Sequence, residues 1–326
     1  MNKPKPYLSK NNFPIDLVYL WVDGFDPKWR AKKNSELTKA GKLAIESTGH
    51  FRFDDNDELL FSLRSAEKFA PWLNHIFIVT DKQTPKWLNL RNPKISVVDH
   101  SKIMPAAALP TFSSTIIEFF LQNIPNLSQH FIFANDDMLF TAMTNPDYFF
   151  TKTGKPIIRA NDKKHPQETG SMTIHDENIL NSIKMAKNLF GEFNYKWLMS
   201  HNIDPYVKSD MIETVKIPQI AKKLKTMLPN HFRDRSNLHR VLFYYFGIAK
   251  RGYKIVGRTL WTRLRQALTF HFRDQPVYTE NARKWHSRHL LFPKLMCIED
   301  PTDAEIRKSN RLFLQNMFPK KSRFEK

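Results

Sequence analysis

The chain has 326 residues, 41% hydrophobic and 13% aromatic, which is enough for a buried core and rules out disorder as the dominant state. Lys plus Arg is 51 against 32 Asp plus Glu, a formal net charge of +19. The single cysteine, Cys297, excludes an intrachain disulfide and a Cys-rich zinc site and fits a reducing compartment.

The charge is unevenly placed. Residues 1–150 hold 17 basic and 16 acidic side chains, whereas residues 151–326 hold 34 and 16. A basic half bears on partners rather than fold: an anionic membrane surface, nucleic acid or a phosphate-bearing substrate, against the plain alternative of a solvated lysine-rich surface. Lys3, Lys5 and Lys10 precede no apolar run, so no secretory signal is expected. No run approaches the ~18 apolar residues of a membrane span. The expectation is a cytoplasmic protein, soluble or seated peripherally on the inner face of the membrane.

In chain order, residues 15–22 form a β-rich apolar run ending at Asp23-Gly24. Asp55 and Glu58 have capping-box spacing before an apolar stripe from Leu59 to Ala70. Strand patterns follow at 75–80, ending at Asp81, and at 94–98, ending at Asp99. A helical stripe runs from Ile116 to Ile124, and a strand at 130–134 ends at Asn135-Asp136-Asp137. Strands alternating with helices predict an α/β fold, a mostly parallel central sheet with flanking helices. Residues 1–150 are expected to form that core, and 151–171 a loop or linker. Residues 172–326 are expected to form a helical, basic part completing the site. Within it, stripes at 179–190 (closed by Gly191), 211–228 (broken at Pro218) and 238–249 read as helices.

All four strands end in acidic residues. In a parallel sheet these carboxylates gather at the carboxyl edge, where ligands bind. Grouped carboxylates repel unless protonated or neutralised by a cation, and oxygen donors suit Mg²⁺, with Mn²⁺ as the alternative. Singly, each is an ordinary turn former; Asp136-Asp137 is the best metal candidate. No phosphate loop of the Gly-x-x-x-x-Gly-Lys type and no Gly-x-Ser-x-Gly elbow is present, and nine glycines make a Rossmann enzyme a poor fit. Cys297, between Met296 and Ile298, reads as core.

Several blocks together resemble one family. The run from Asp16 to Gly24 with Asp26-Pro-Lys-Trp29 resembles the first signature region of the Stealth proteins, and the block from Phe51 to Phe140 resembles the second. His201 to Ser209 with His231-Phe-Arg233 resembles the third, and Leu295 to Asp300 with Phe318 to Glu325 the fourth. The resemblance implies a nucleotide-sugar transferase (GT-A-like) core. It implies transfer of a hexose-1-phosphate, an N-acetylhexosamine-1-phosphate included, from a UDP-sugar to a glycan or lipid-linked glycan hydroxyl in surface polysaccharide synthesis. UMP is released, with Mg²⁺ as cofactor.

The resemblance also implies roles. Trp21, Val22, Asp23 and Gly24 would hold the uridine. Asp137 would bind the metal, with Asp136 beside it and Glu299 standing where the family usually has Asn. Ser114 and Glu118, four apart, would contact the donor sugar. His201 would take the acceptor proton, and Arg233 would clamp the diphosphate, with Arg235 its rival. Arg52 is a further substrate contact or a support for the strand ends, and Arg64 reads as architectural. Residues 303–326 are an amphipathic basic stretch, suited to a membrane surface or to packing on the core. The rivals are a glycosyltransferase releasing UDP and, more remotely, a non-enzymatic nucleic-acid binder; no nucleic acid is expected, since the sequence has no recognition module.

Overall fold

The computed structural model describes residues 13–41, 43–160, 172–191, 202–257, 294–298 and 303–326. In chain order the strands are β1 (Ile15–Leu20), β2 (Ile76–Thr80), β3 (Ile95–Asp99), β4 (His130–Asn135), β5 (Met138–Phe140), β6 (Ile157–Arg159), β7 (Asp204–Val207), β8 (Lys254–Val256) and β9 (Leu295–Cys297). The α-helices are α1 (Pro27–Ala40), α2 (Ile45–Thr48), α3 (Glu58–Phe69), α4 (Ser114–Ile117), α5 (Ile174–Phe190), α6 (Lys208–Lys216), α7 (Pro218–Met227), α8 (Val241–Arg251) and α9 (Ala304–Met317).

The central sheet runs β3-β2-β1-β4-β7. The first four strands are parallel and β7 closes the β4 edge antiparallel. The expected α/β class is thus present. Both faces of the sheet are covered, which is why β1 is apolar apart from Asp16 and not alternating. Side chains still alternate across the pleat. Val18 and Leu20 of β1, with Phe131 and Phe133 of β4, join the core that includes Ile116, Phe119 and Leu242. Leu17, Tyr19 and Trp21, with Ile132 and Ala134, face the core built on Leu59 and Leu63 of α3. The polar exception in β1, Asp16, is fully buried but accepts from Asn74 Nδ2 (2.8 Å) and Ser128 N (2.7 Å), so its carboxylate is satisfied.

Four local expectations are corrected. Asp55 does not cap α3. Asp57, with φ of 65°, precedes the helix without a side-chain cap bond, and the Asp55 carboxylate accepts from Asp57 N instead. The stripe at 116–124 is only one α-turn, continued as a 3₁₀ helix over Glu118–Asn123. The 151–171 segment contains β6, which pairs parallel with β8. The second half is not purely helical: β7 joins the central sheet and β9 pairs with β5. Those strands are too short to announce themselves, and β7 contains Pro205, which suits an edge strand.

The expectations for 179–190, with Gly191 at φ of 80° as the cap, and for a break at Pro218 hold. Helix α9 buries Phe313 and Leu314 against Phe61, Leu139 and Met296, and its Ile306 is buried as well. Its apolar face therefore packs on the core, leaving Lys308 and Arg311 outside. No helix among the described residues is long and apolar enough to cross a membrane.

Candidate active site

Sheet order sorts the strand-end acids. β1 and β4 are neighbours at the centre of the sheet, so Asp23 and Asp136-Asp137 leave adjacent strand ends. β3 is the far edge strand, and its Asp99 does turn work: it accepts from Lys82 N (2.7 Å) and Ser101 N (2.9 Å). Asp81, after β2, is paired with Lys32. Asp81 and Asp99 sit together beside buried His100, while the central strands deliver Asp23 and Asp136-Asp137 to a separate place.

Two more acids join them. The Asp136 carboxyl is pushed well above the usual range by burial, and then by repulsion from Asp137, Glu58 and Asp55. Burial raises Glu58 to about 8, with Asp55 and Asp137 adding repulsion. Burial also raises Asp55 to about 6, with Asp57 and Asp23 as charged neighbours. Glu58 is 3% exposed, and one of its oxygens accepts from Asn56 N at 2.6 Å. Asp137 is held from behind: its Oδ2 accepts from Cys297 Sγ (3.2 Å), and its carbonyl accepts from Ile298 N (2.9 Å).

The residues after β1 brace this edge. Trp21 is buried, with its indole Nε1 turned toward Asp55, favouring the ionised carboxylate there without reaching hydrogen-bond geometry. Half-buried Val22 packs on the cluster of Trp29, Phe53, Phe112 and Phe232. The Asp23 backbone is bound at both groups by Gln83: Asp23 N donates to Oε1 (3.0 Å) and its carbonyl accepts from Nε2 (2.9 Å). Asp23 Oδ1 accepts from Phe25 N at 2.8 Å. Gly24 N donates to Phe53 O at 2.7 Å, and a Cβ on Gly24 would lie 2.3 Å from that oxygen, so only glycine fits.

A basic cluster forms at the other end of the same segment. Arg233 Nη2 donates to Ser114 Oγ at 2.6 Å, and the Arg233 carbonyl accepts from Ser47 Oγ at 2.8 Å. Burial lowers Arg233 to about 9, and repulsion from Arg52 adds to that. The rival, Arg235, is exposed and pairs with Glu177 instead. Glu118 is buried and its Oε1 accepts from Arg240 Nη1 at 3.1 Å. Burial raises the Glu118 carboxyl, and Arg240 and then Arg233 oppose that rise. His175 is solvent-exposed, and the charges of Arg233, Arg240 and Arg52 hold its imidazole below its ordinary value.

The structure therefore brings Ser114, Glu118, Arg233 and Arg52 together, and Asp136 and Asp137 together beside Trp21 and Asp23. His201 and Glu299 lie outside the described residues. The three peptide steps from Arg52 to Asp55 span at most ~11 Å of chain. The sequence reading missed Glu58 and Asp55 as site carboxylates, and Arg240 and His175 altogether. The usable signals were an acid at the head of an apolar stripe and an arginine directly ahead of Val-Leu-Phe-Tyr-Tyr-Phe. Arg64, read as architectural, makes a two-pronged ion pair with Glu325 (2.9 and 2.7 Å).

Comparison with known proteins places these residues in context. The Stealth protein conserved region 1 model matches residues 13–39, and the conserved region 2 model matches residues 52–158. The chain is 33% identical over 249 residues to the capsular polysaccharide phosphotransferase fcs1 of Haemophilus influenzae, covering 75% of this chain and 67% of that protein. It is 30% identical over 340 residues to the exopolysaccharide phosphotransferase cps2G of Lactiplantibacillus plantarum, covering 96% of this chain and 97% of that one. The aligned stretch spans about two thirds of the length of the first capsular relatives. Among solved structures, the galactosyltransferase LgtC matches with a TM-score of 0.45 at 9% identity over 94% of this chain and 96% of its own. With both N-terminal regions matched and a relative aligned nearly end to end, the chain belongs to the Stealth family of polysaccharide phosphotransferases.

Proposed function

We propose that this phosphotransferase moves a hexose-1-phosphate from a UDP-sugar to a glycan hydroxyl, forming a phosphodiester and releasing UMP. One observation carries the reading: an arginine–serine pair beside Arg52, and a group of crowded carboxylates, sit at opposite ends of the single segment Arg52–Glu58. A sugar diphosphate carries its charge between a sugar and a nucleoside, so it needs cationic help at that charge on both sides.

The acceptor oxygen attacks the β-phosphorus, and the bond from that phosphorus to the oxygen bridging it to the α-phosphate breaks. The electron pair leaves with UMP, the acceptor proton goes to a base, and the sugar C1–O bond is untouched. Phosphoryl transfer of this kind depends mainly on positioning and electrostatics. Arg233, with Arg52 near it, would bind the diphosphate oxygens through planar, fork-like donors. Ser114 and Glu118 would bind hydroxyls of the transferred sugar. Trp21, Val22, Asp23 and Gly24 form the edge against which the uridine would lie. The resemblance assigns the base to His201.

The donor set fits a hard divalent cation. Burial, and then repulsion from neighbouring carboxylates, raises Asp136, raises Glu58 to about 8 and Asp55 to about 6, and a cation beside Asp137 would offset that cost. Among the described residues no three ligand-type side chains converge on one point. Mg²⁺ and Mn²⁺ are commonly held by one or two carboxylates together with substrate phosphates. Asp137 and Asp136 would supply those carboxylates, with Glu299 a further candidate. When bound, the ion would neutralise charge developing on the departing phosphate.

The basic second half suits a polyanionic acceptor or a peripheral seat on anionic lipid. The test is a panel of UDP-sugars with Mg²⁺ and glycan acceptors, with products followed by ³¹P NMR. UMP and a new phosphodiester are expected. Asp137→Asn and Arg233→Gln should each lower turnover about 100-fold or more while the protein stays folded. Release of UDP in place of UMP would overturn the reading in favour of glycosyl transfer.

A further inference from the structure

Arg240, directly ahead of α8, is 5% exposed and lies between two acids from distant parts of the chain. Its Nη1 donates to Glu118 Oε1 (3.1 Å) and its Nη2 to Asp204 Oδ2 (3.3 Å), and its guanidinium sits over the Phe133 ring at 5.1 Å. Glu118 is 4% exposed, and its second oxygen, Oε2, is buried with no hydrogen-bond partner among the described residues. A buried acceptor oxygen left open costs stability unless something fills it. The Arg233–Ser114 pair, proposed to meet the sugar diphosphate, neighbours Glu118.

We infer that Arg240 is a positioning residue, holding Glu118 ionised by one oxygen so that the other is presented to a hydroxyl of the donor sugar. This inference rests on the proposed sugar-phosphate transfer. A single guanidinium does two things that a neutral partner would not: it balances the charge, and it fixes the carboxylate plane through a rigid fork. Asp204 holds the other prong of that fork. Its own carboxyl, raised by burial to about 7, needs the same arginine. The charged and titratable groups facing Glu118 are Arg240 ahead of α8 and Arg233 before it. Behind Arg240 lie Asp204 and Tyr206 of β7 and Tyr244 of α8. Arg52 and His175 lie beyond Arg233.

The test measures UMP release against UDP-sugar concentration and pH for wild type, Arg240→Met, Arg240→Lys, Glu118→Gln and the Arg240→Met/Glu118→Gln double variant. The double variant removes both charges of the pair, which buried sites tolerate better than one alone. Arg240→Met should raise donor KM about tenfold with kcat within threefold. Its donor binding should recover as pH rises, because Glu118 without its counter-charge ionises later. Arg240→Lys should restore most of the loss. In the Glu118→Gln background, Arg240→Met should change donor KM by less than twofold.

Folded Arg240→Met with wild-type KM and pH profile would overturn the inference. So would a tenfold penalty that persists in the Glu118→Gln background, since Arg240 would then act elsewhere. A wild-type protein that releases no UMP from any UDP-sugar would instead overturn the proposed function, and the positioning role with it.

Discussion

Gly24 tests whether the site is held together by backbone contact. A Cβ added there would meet Phe53 O at 2.3 Å, Phe53 C at 2.7 Å and Phe53 Cβ at 2.9 Å. Two of these are main-chain atoms, so no rotamer relieves the clash, and the two segments must part by about 1 Å to reach ordinary contact at 3.4 Å. Overpacking of this kind costs roughly 1–3 kcal/mol. Lengthening the Gly24 N–H to Phe53 O bond, now 2.7 Å, adds about 1 kcal/mol. At an unfolding entropy of about 0.7 kcal/mol per degree for a chain of this length, Gly24→Ala should melt roughly 3–6 °C below wild type.

The catalytic cost of Gly24→Ala should be larger than its stability cost. Phe53 lies between Arg52 and Asp54, so moving it shifts both the cationic and the acidic end of the segment. A misplacement of about 1 Å can cost roughly 100-fold in rate. Differential scanning fluorimetry and an initial-rate assay of UMP release read the two effects separately. A Gly24→Ala protein melting within a degree of wild type, with turnover within twofold, would refute the close-approach argument.

Two further predictions separate structural charges from functional ones. His100 is 7% exposed, and burial lowers its imidazole to about 4 despite the opposing pull of Asp81 and Asp99. The unfolded chain takes up that proton near pH ~6.5 and the folded one near 4, so stability falls as pH drops through this window, by roughly 3 kcal/mol. His100→Gln should flatten that part of the profile, measured by urea unfolding at pH 7, 5.5 and 4.5; an unchanged slope would count against it. Arg64 joins α3 to the C-terminal segment through Glu325 and through Phe318 O at 2.7 Å, with side-chain exposures of 13% and 4% for the ion pair. Arg64→Ala should cost roughly 3 kcal/mol of stability with donor KM unchanged, since it touches neither cluster. A shifted KM in the folded variant would mean that Arg64 reaches the site.

What could be read in the sequence was whatever depends on local pattern. The four parallel strands were legible because each is an apolar run with a sharp polar stop, and the acidic edge followed from parallelism alone. Which acids would meet was not legible, because that depends on strand order: the central pair β1 and β4 gather Asp23, Asp136 and Asp137, while β3 at the edge leaves Asp99 to cap a turn. Glu58 was hidden by its spacing from Asp55, since a capping box and a pair of buried acids share one pattern. Helix α9 carried an ambiguity of the same sort. Its amphipathic pattern suits a lipid surface or a protein core, and only the apolar surface of Phe61, Leu139 and Met296 decides for the core.

Pairs remote in sequence escaped for a different reason. Arg240 and Glu118 are 122 residues apart, and nothing near either residue encodes the other. Both are nonetheless placed by the same apolar stack, with Phe119 beside Glu118 and Phe243 a turn beyond Arg240 in contact at 5.1 Å between ring centroids. The core thus fixes the ion pair, and the ion pair fixes an acceptor oxygen at the edge of the basic cluster. A charge held this way needs no loop to order it when ligand arrives, so its entropy cost is met in folding and not in binding. The acidic cluster has the opposite character: burial and neighbouring carboxylates hold Asp136 well above the usual range, and under the proposed function a bound cation would offset that cost. One side of the site is therefore finished by the fold, and the proposed function assigns the completion of the other to a bound cation.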